Sequence, residues 1–350
     1  MSAHLPRAAS WSLKPIALLA ALGLAGLGSE WIALAASALT YPTVAAGEPA
    51  NLAHHGGYVY ATQAESGLLI IDARSGRIAG RRSSAGGRSV DDLAVSDGLL
   101  FALDARPPGS LAVYSLHDPA KPQLVAPPVS AAVGPFSGVS AGGGLVVVSG
   151  GTSRLTARRY DVAGRLSAPV AEADLGRGQP DVLVAPGGRR VFVSTHYRGP
   201  RFGLEILDIG VADRLVPVAS LPLPGAGFSP GGARPGNFPI ASALLDSARL
   251  LVAHAAGVTV VDLVAADGPA VAATVRVGGP AVSLDAVDNR AVVAVAGRAP
   301  SLVLLEFAGY RARVARRIPL VPGSAPLGVA FADSALVLAT RRGGVQRFVQ

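Results

Sequence analysis

The sequence predicts an all-β chain, a seven-bladed β-propeller of four-stranded antiparallel blades closed by an N-terminal strand that completes the last blade. Three observations carry this. A short apolar strand recurs seven times: YVYA at Tyr58–Ala61, LLFA at Leu99–Ala102, LVVV at Leu145–Val148, VFVS at Val191–Ser194, LLVA at Leu250–Ala253, VVAV at Val292–Val295 and LVLA at Leu336–Ala339. The intervals are 41, 46, 46, 59, 42 and 44 residues, the period of four-stranded blades. A second apolar strand follows each after a polar gap, and in five repeats it ends in an acid: Asp72, Asp161, Asp208, Asp262 and Glu306.

Each element of the repeat has its own reason. Before the recurring strand stands a tight-turn sequence, such as His55-Gly56-Gly57, Asp97-Gly98, Gly142-Gly143-Gly144, Pro186-Gly187-Gly188, Asp246-Ser247, Asp288-Asn289 and Asp333-Ser334. These residue types accept the backbone of tight hairpins, so an inner strand precedes each turn. The acid that ends the next strand enters a second hairpin, where its carboxylate can accept turn N–H groups; Ser115 and Val349 depart from the pattern. Outer strands are expected at Arg77–Arg82, Gln123–Pro127, Leu166–Leu175, Val216–Leu223, Ala270–Val277 and Arg313–Leu320. The seventh repeat stops at Gln350 without one, and LTYPTVAA at Leu39–Ala46 has no other partner. Pairing the two would remove an open sheet edge.

The N-terminus reads differently. Arg7 and Lys14 precede an uncharged apolar stretch from Pro15 to Gly28, followed by the small-residue sites Ala33-Leu34-Ala35 and Ala36-Ser37-Ala38. That is the layout of a secretory signal, with an uncleaved membrane anchor as the alternative. Residues 1–38 are therefore a signal peptide or anchor, and 39–350 the ring. The expected compartment is periplasmic or secreted, or the cytoplasmic membrane surface if the segment stays attached.

Composition narrows the chemistry. Cysteine is absent, which excludes disulfides, thiolate metal sites and cysteine nucleophiles. Formal charge is +8, and all basic residues but Lys14 and Lys121 are arginine. Such an excess suits phosphate or nucleic acid, but it is also what a GC-rich genome produces. Beyond the leader, 29 basic side chains face 22 acidic ones once Arg7, Lys14 and Glu30 are set aside. They are spread around the ring without interleaved aromatics, which disfavours nucleic acid.

The string SLAVYSLHDPAKPQLV at Ser110–Val125, with GLLIID, GLEILD and GVTVVD, resembles the LVIVD-repeat propellers, and APGGRRVFVST at Ala185–Thr195 resembles the related YVTN group. The resemblance spans Pro49 to Gln350. It implies the fold and an exported bacterial protein with a binding or cell-surface role, and it brings no catalytic motif.

The two longest connections are neighbours: THYRGPRFG at Thr195–Gly203, and PGAGFSPGGARPGN at Pro224–Asn237. Both belong to the face that carries the loops between second and third strands, where Arg106, Arg154, Arg198, Arg201, Arg298, Arg341 and Arg342 also lie. Long loops on a rigid scaffold collect binding residues. The candidate ligand-binding set is His196, Tyr197, Arg198, Arg201, Arg234 and His254, with Asp92 and Asp181 at inner-strand entrances. Arginine forks suit carboxylate or phosphate. No EF-hand run, H-E-x-x-H or P-loop occurs, and no cofactor, metal or catalytic residue is nominated. His54-His55 reads as a turn-flanking pair, since adjacent strand residues point to opposite faces. The expectation is a monomeric, non-catalytic exported scaffold binding a protein or small anionic ligand. The alternative is a metal-dependent lactonase-like hydrolase, or an accessory partner of a periplasmic dehydrogenase.

Overall fold

The computed structural model describes residues 51–63, 67–83, 90–106, 109–131, 138–150, 154–175, 180–195, 203–210, 213–223, 241–333, 335–341 and 344–349. They form seven antiparallel sheets in chain order, a seven-bladed β-propeller. Blade one holds β1 (Leu52–His55), β2 (Tyr58–Gln63), β3 (Gly67–Asp72) and β4 (Ile78–Arg82). Blade two holds β5 (Asp92–Ser96), β6 (Leu99–Asp104), β7 (Ser110–Ser115), β8 (Gln123–Leu124) and β9 (Val129–Ser130). Blade three runs β10 (Gly138–Gly142), β11 (Leu145–Ser149), β12 (Arg154–Tyr160) and β13 (Leu166–Asp174). Blade four runs β14 (Pro180–Val184), β15 (Arg190–Thr195), β16 (Gly203–Ile209) and β17 (Leu215–Pro222). Blade five comprises β18 (Ser242–Leu244), β19 (Arg249–His254), β20 (Gly257–Asp262) and β21 (Ala270–Val275). Blade six comprises β22 (Ala281–Val287), β23 (Arg290–Val295), β24 (Ser301–Ala308) and β25 (Arg311–Pro319). Blade seven shows three strands, β26 (Pro326–Ala332), β27 (Ala335–Thr340) and β28 (Gly344–Val349). The expected fourth, Leu39–Ala46, lies outside the described residues, as does the leader.

The second strands are apolar on both faces because each blade is sandwiched between two others. In β6, Leu99, Phe101 and Leu103 face Val146, Val148 and Tyr160 of blade three, while Leu100 and Ala102 face Tyr60 and Leu68 of blade one. Side chains alternate across a strand, so one strand serves two interfaces. Phe101 and Tyr160 stack tilted, with ring centroids 4.8 Å apart. Around the ring each inner strand neighbours the next, and β26 meets β1. Val59, Ala61, Leu69 and Ile71 of blade one pack on Ala332 and Val337 of blade seven, and Arg347 Nε donates to the Ala73 carbonyl at 2.5 Å. The ring is therefore closed by packing between its first and last described blades.

The hairpin turns match their residue types. Asp97 and Gly98 have φ of 52° and 70°, and Gly143 and Gly144 have 52° and 77°, the positive pair of a type I′ turn. The acids ending the third strands also act as expected: Asp72 Oδ1 accepts Ser75 N at 2.7 Å, Asp161 Oδ1 accepts Arg165 N at 2.9 Å, and Asp262 Oδ1 accepts Val264 N at 2.9 Å. Asp208 and Glu306 instead pair with Arg189 and Arg313. In five blades the third and outer strands are offset by a bulge, at Ile70/Ile71, Ala157/Arg158, Ile206/Leu207, Val260/Val261 and Leu304/Leu305. Bulges increase local twist, which fans the outer strand away from the axis.

One element departs from expectation. The outer strand of blade two is not continuous over Gln123–Pro127; β8 and β9 each pair separately with β7. Pro127 and Pro128 fall between them and donate no N–H to a ladder, so the strand breaks there.

Candidate functional site

The inner strands line the axis, and their first residues lie on the face that carries the connections between second and third strands. Of the candidate residues, His196, Tyr197, Arg198, Arg201 and Arg234 lie outside the described residues. Asp92, Asp181 and His254 are described, and each has a defined setting.

Asp92 opens β5. Its Oδ1 accepts its own neighbour's N–H, Leu93, at 2.8 Å, and its Oδ2 accepts Val139 N on blade three at 2.7 Å. Burial pushes its carboxyl up to about 7, against the pull of those two N–H groups. Asp181 stands at the same end of β14. Its Oδ2 accepts the hydroxyl of Ser242, the first residue of β18, at 3.3 Å. Burial raises it to about 8, and the charge on Asp92 adds to that rise. Blade three separates these two blades, so Asp92 and Asp181 flank β10 at the mouth of the channel.

At their level, one strand out from the axis, stands a row of polar residues at the ends of the second strands. Thr62 Oγ1 accepts Asn51 N at 3.1 Å, Ser149 Oγ accepts Gly138 N at 2.8 Å, and Thr340 Oγ1 donates to the Gly344 carbonyl at 3.2 Å. His254 occupies this row in blade five. Its Nδ1 accepts Ala256 N at 3.2 Å, which leaves the proton on Nε2 to donate to Thr259 Oγ1 at 2.8 Å. Burial lowers the imidazole to about 4, so it is neutral at physiological pH. Its described contacts hold the short β19–β20 turn. Ser194 in blade four differs: it is fully buried, pairs across the hairpin with Asp181, and its Oγ has no hydrogen-bond partner among the described residues.

Between blades six and one the geometry brings together two residues that sequence reasoning left apart. Asp285 on β22 accepts Ala286 N at 2.8 Å and Phe331 N on blade seven at 2.8 Å, and His54 Nε2 of blade one lies 3.8 Å from its Oδ2. Burial raises the Asp285 carboxyl, while His54 opposes the rise. In sequence Asp285 stands three residues before Asp288, and the repeat pattern does not single it out.

The arginines of the loop face are partly committed. Arg106 donates to Asp104 through its main-chain N at 3.1 Å and Nε at 3.4 Å, and Arg154 pairs with Glu172. Arg298 is exposed. Among the described residues no group of three metal-ligating side chains occurs.

No known family profile matches the chain, and no curated protein matches it in sequence. Solved structures do. A virginiamycin B lyase from Staphylococcus aureus is 12% identical, with a TM-score of 0.61, covering 89% of this chain and 97% of that one. A streptogramin B lyase is 14% identical, with a TM-score of 0.63, covering 88% of this chain and 96% of that one. At such identities the likeness speaks for the fold alone.

Proposed function

We propose that this propeller is an exported, non-catalytic binding scaffold of the LVIVD-repeat or YVTN type, recognising a protein or small anionic ligand at the loop face of blades four and five. One observation carries the reading. Asp181 of β14 and Ser242 of β18 are hydrogen-bonded, and both long connections are rooted beside that bond. The first, 196–202, leaves from Thr195, whose strand partner is Pro180; the second, 224–240, ends two residues before Ser242. Roots held by a closed ring limit the entropy lost when such loops engage a ligand. The arginines of those connections, Arg198, Arg201 and Arg234, supply charge for an anion.

Calorimetric titration of the full chain with inorganic phosphate tests it. Binding that Arg198→Ala with Arg201→Ala abolishes is the expected result; unchanged affinity in that double variant refutes it. Export is checked by cell fractionation, where the chain belongs in the periplasm or medium, or on the membrane if the leader is retained.

A second reading, a hydrolase, is favoured by a separate observation. Asp92 and Asp181 have carboxyls raised to about 7 and about 8, the range of a general acid or base working near neutrality. A stoichiometric, tightly held divalent ion in the purified protein, with lactone hydrolysis lost in Asp181→Asn, would establish that reading over the first.

A further inference from the structure

Ring closure gathers charge that the sequence holds at its two ends. Residues 47–83 and 280–350 carry thirteen basic side chains against seven acidic ones, while 84–279 carry sixteen against fifteen. The first set makes blades one, six and seven, and β26 of blade seven lies between β22 of blade six and β1 of blade one. The expectation of evenly spread charge therefore does not hold: one arc of three blades is basic, and the other four blades are near neutral. On β25, Arg311, Arg313 and Arg316 stand opposite Ala308, Glu306 and Leu304, alternate residues of β24, so the three share one face. The other face of β24 packs on blade five through Val303, Leu305 and Phe307, so these arginines turn towards blade seven. On β4, Arg81 and Ile78 stand opposite Leu69 and Ile71, which pack on Ala332 and Val337 of blade seven. Arginine thus flanks the rim of blade seven from both sides. Arg81, Arg311 and Arg316 are exposed and make no ion pair among the described residues, while Arg313 pairs with Glu306. Leu39–Ala46, the strand expected at that rim, carries no acid. On the same two outer strands Ile78 and Val314 are 41% and 44% exposed. Charge on an outer strand commonly guards against edge pairing. This ring does not require it, since β17 and β21, the outer strands of blades four and five, hold no charged residue.

We propose that this arc docks on the anionic face of a phospholipid bilayer, with its arginines among the headgroup phosphates and Ile78 and Val314 at the acyl boundary. A bilayer is laterally extended, and its field reaches about 10 Å at about 0.1 M salt, so the arginines need not converge on one point. Each guanidinium sits on a long apolar stem and offers paired N–H groups to a phosphate. Aliphatic side chains exposed among arginines suit the headgroup boundary and give nothing to a purely acidic partner. Neither β4 nor β25 carries an aromatic side chain on which a base could stack, which disfavours single-stranded nucleic acid. The chain also enters the ring within this arc, at Leu52 of blade one, downstream of the apolar stretch 15–28. A leader retained in a membrane therefore tethers the ring by one of the blades that suit the bilayer. The contact belongs to the ring and persists when the leader is cut. It uses none of the loop arginines of blades four and five.

The test uses a dye that reports its surroundings. The chain has no cysteine, so Val314→Cys takes a single environment-sensitive label on the full chain. Val218→Cys on β17 of blade four, where the side chain is 55% exposed, is the control site. The vesicles are phosphatidylcholine alone, or phosphatidylcholine with about one lipid in three replaced by phosphatidylglycerol. The expected result is a blue shift of the Val314 label on the anionic vesicles only, absent from the Val218 label and reversed in about 1 M salt. Arg311→Glu with Arg316→Glu should raise the lipid needed for half the shift by about tenfold or more, and Arg77→Glu with Arg81→Glu should do the same from blade one. Arg190→Glu with Arg214→Glu changes net charge equally on blade four and should leave that midpoint within about twofold. All six arginines are exposed and make no ion pair among the described residues, so the fold is not at stake. The leader is common to every variant, so differences between them read the ring. Arg198→Ala with Arg201→Ala should lose phosphate and keep the shift, which separates the arc from the loop reading. Equal shifts on both kinds of vesicle, no shift on either, or equal loss in the blade-four variant overturns the proposal. So does a shift of the same size with polyglutamate or a single-stranded oligonucleotide in place of vesicles, which assigns the arc to an acidic polymer.

Discussion

The carboxylate of Asp92 reaches across a blade boundary to accept the main-chain N–H of Val139 at 2.7 Å. Asp285 does the same to Phe331 at 2.8 Å, and in each case the other carboxylate oxygen takes the N–H of the following residue. Ser140 and Ser283 make a one-handed version of this clasp, accepting Val184 N at 2.9 Å and Val329 N at 3.2 Å. Inner strands have a free edge along the axis, and these side chains satisfy N–H groups on it that would otherwise lie in the channel unpaired. Asp92→Ala and Asp285→Ala each strand two such donors. Each is expected to lower stability by about 2–4 kcal/mol, measured by urea unfolding, with the shift in midpoint and not in slope.

Blades three and four touch through glycine. A Cβ on Gly143 would stand 2.5 Å from the backbone of Gly187 and Gly188, and one on Gly188 would stand 2.3 Å from the Gly143 carbonyl oxygen. Gly98, in the equivalent turn of blade two, has φ +70° but open space around it. Gly98→Ala should therefore cost only its left-handed backbone, about 1 kcal/mol. Gly143→Ala adds a backbone clash across the blade boundary and should cost at least about 2 kcal/mol more. Equal thermal shifts for the two variants would show that the blades separate freely at this turn.

The architecture was legible because a blade's second strand must be apolar on both faces, and runs such as VVAV and LVVV meet that demand wherever they occur. The tight turns were legible for a similar reason: Asp97 and Gly98 are types that accept positive φ. Blade two's outer strand was misjudged although Pro127-Pro128 announced the break. The channel residues were harder. Asp92 was marked only by its place at an inner-strand entrance and Asp285 was not marked at all, because the bond each makes depends on a neighbouring blade 46 or 47 residues away. Ser194 hides in VFVST as an ordinary strand residue, and its missing partner is a property of packing that no spacing records.

Stability should fall as pH rises across the near-neutral range. The Asp92 and Asp181 carboxyls sit near 3.8 in the unfolded chain and at about 7 and about 8 in the ring. Between those values the folded state binds more protons than the unfolded one, so the contribution is fully present below about 4 and lost as pH passes through about 8. Each group can tilt stability by no more than about 1.4 kcal/mol per pH unit. Asp181→Asn should flatten that slope between about pH 5 and about pH 8 in urea titrations. Asp72, Asp97, Asp161 and Asp246, held low chiefly by their hydrogen bonds, act with the opposite sign and lose their contribution only as the medium becomes acidic.

The last blade supplies the remaining prediction. Its described outermost strand, β28, pairs with β27 alone, so one edge of blade seven is open among the described residues. An exposed edge invites pairing with another chain. Leu39–Ala46 carries Leu39 and Tyr41 at the period-two spacing that puts apolar side chains on one face of a strand, and we propose that it fills this place. A chain beginning at Gly47 should then be less stable than one beginning at Leu39 by at least about 2 kcal/mol, the burial of one or two large apolar side chains. It should also self-associate, because the edge is left without a cover. Added as a separate peptide, Leu39–Ala46 should restore both stability and the monomer in sedimentation measurements. If the two chains unfold at the same urea concentration and both remain monomeric, the ring is held by the contacts between blades one and seven alone.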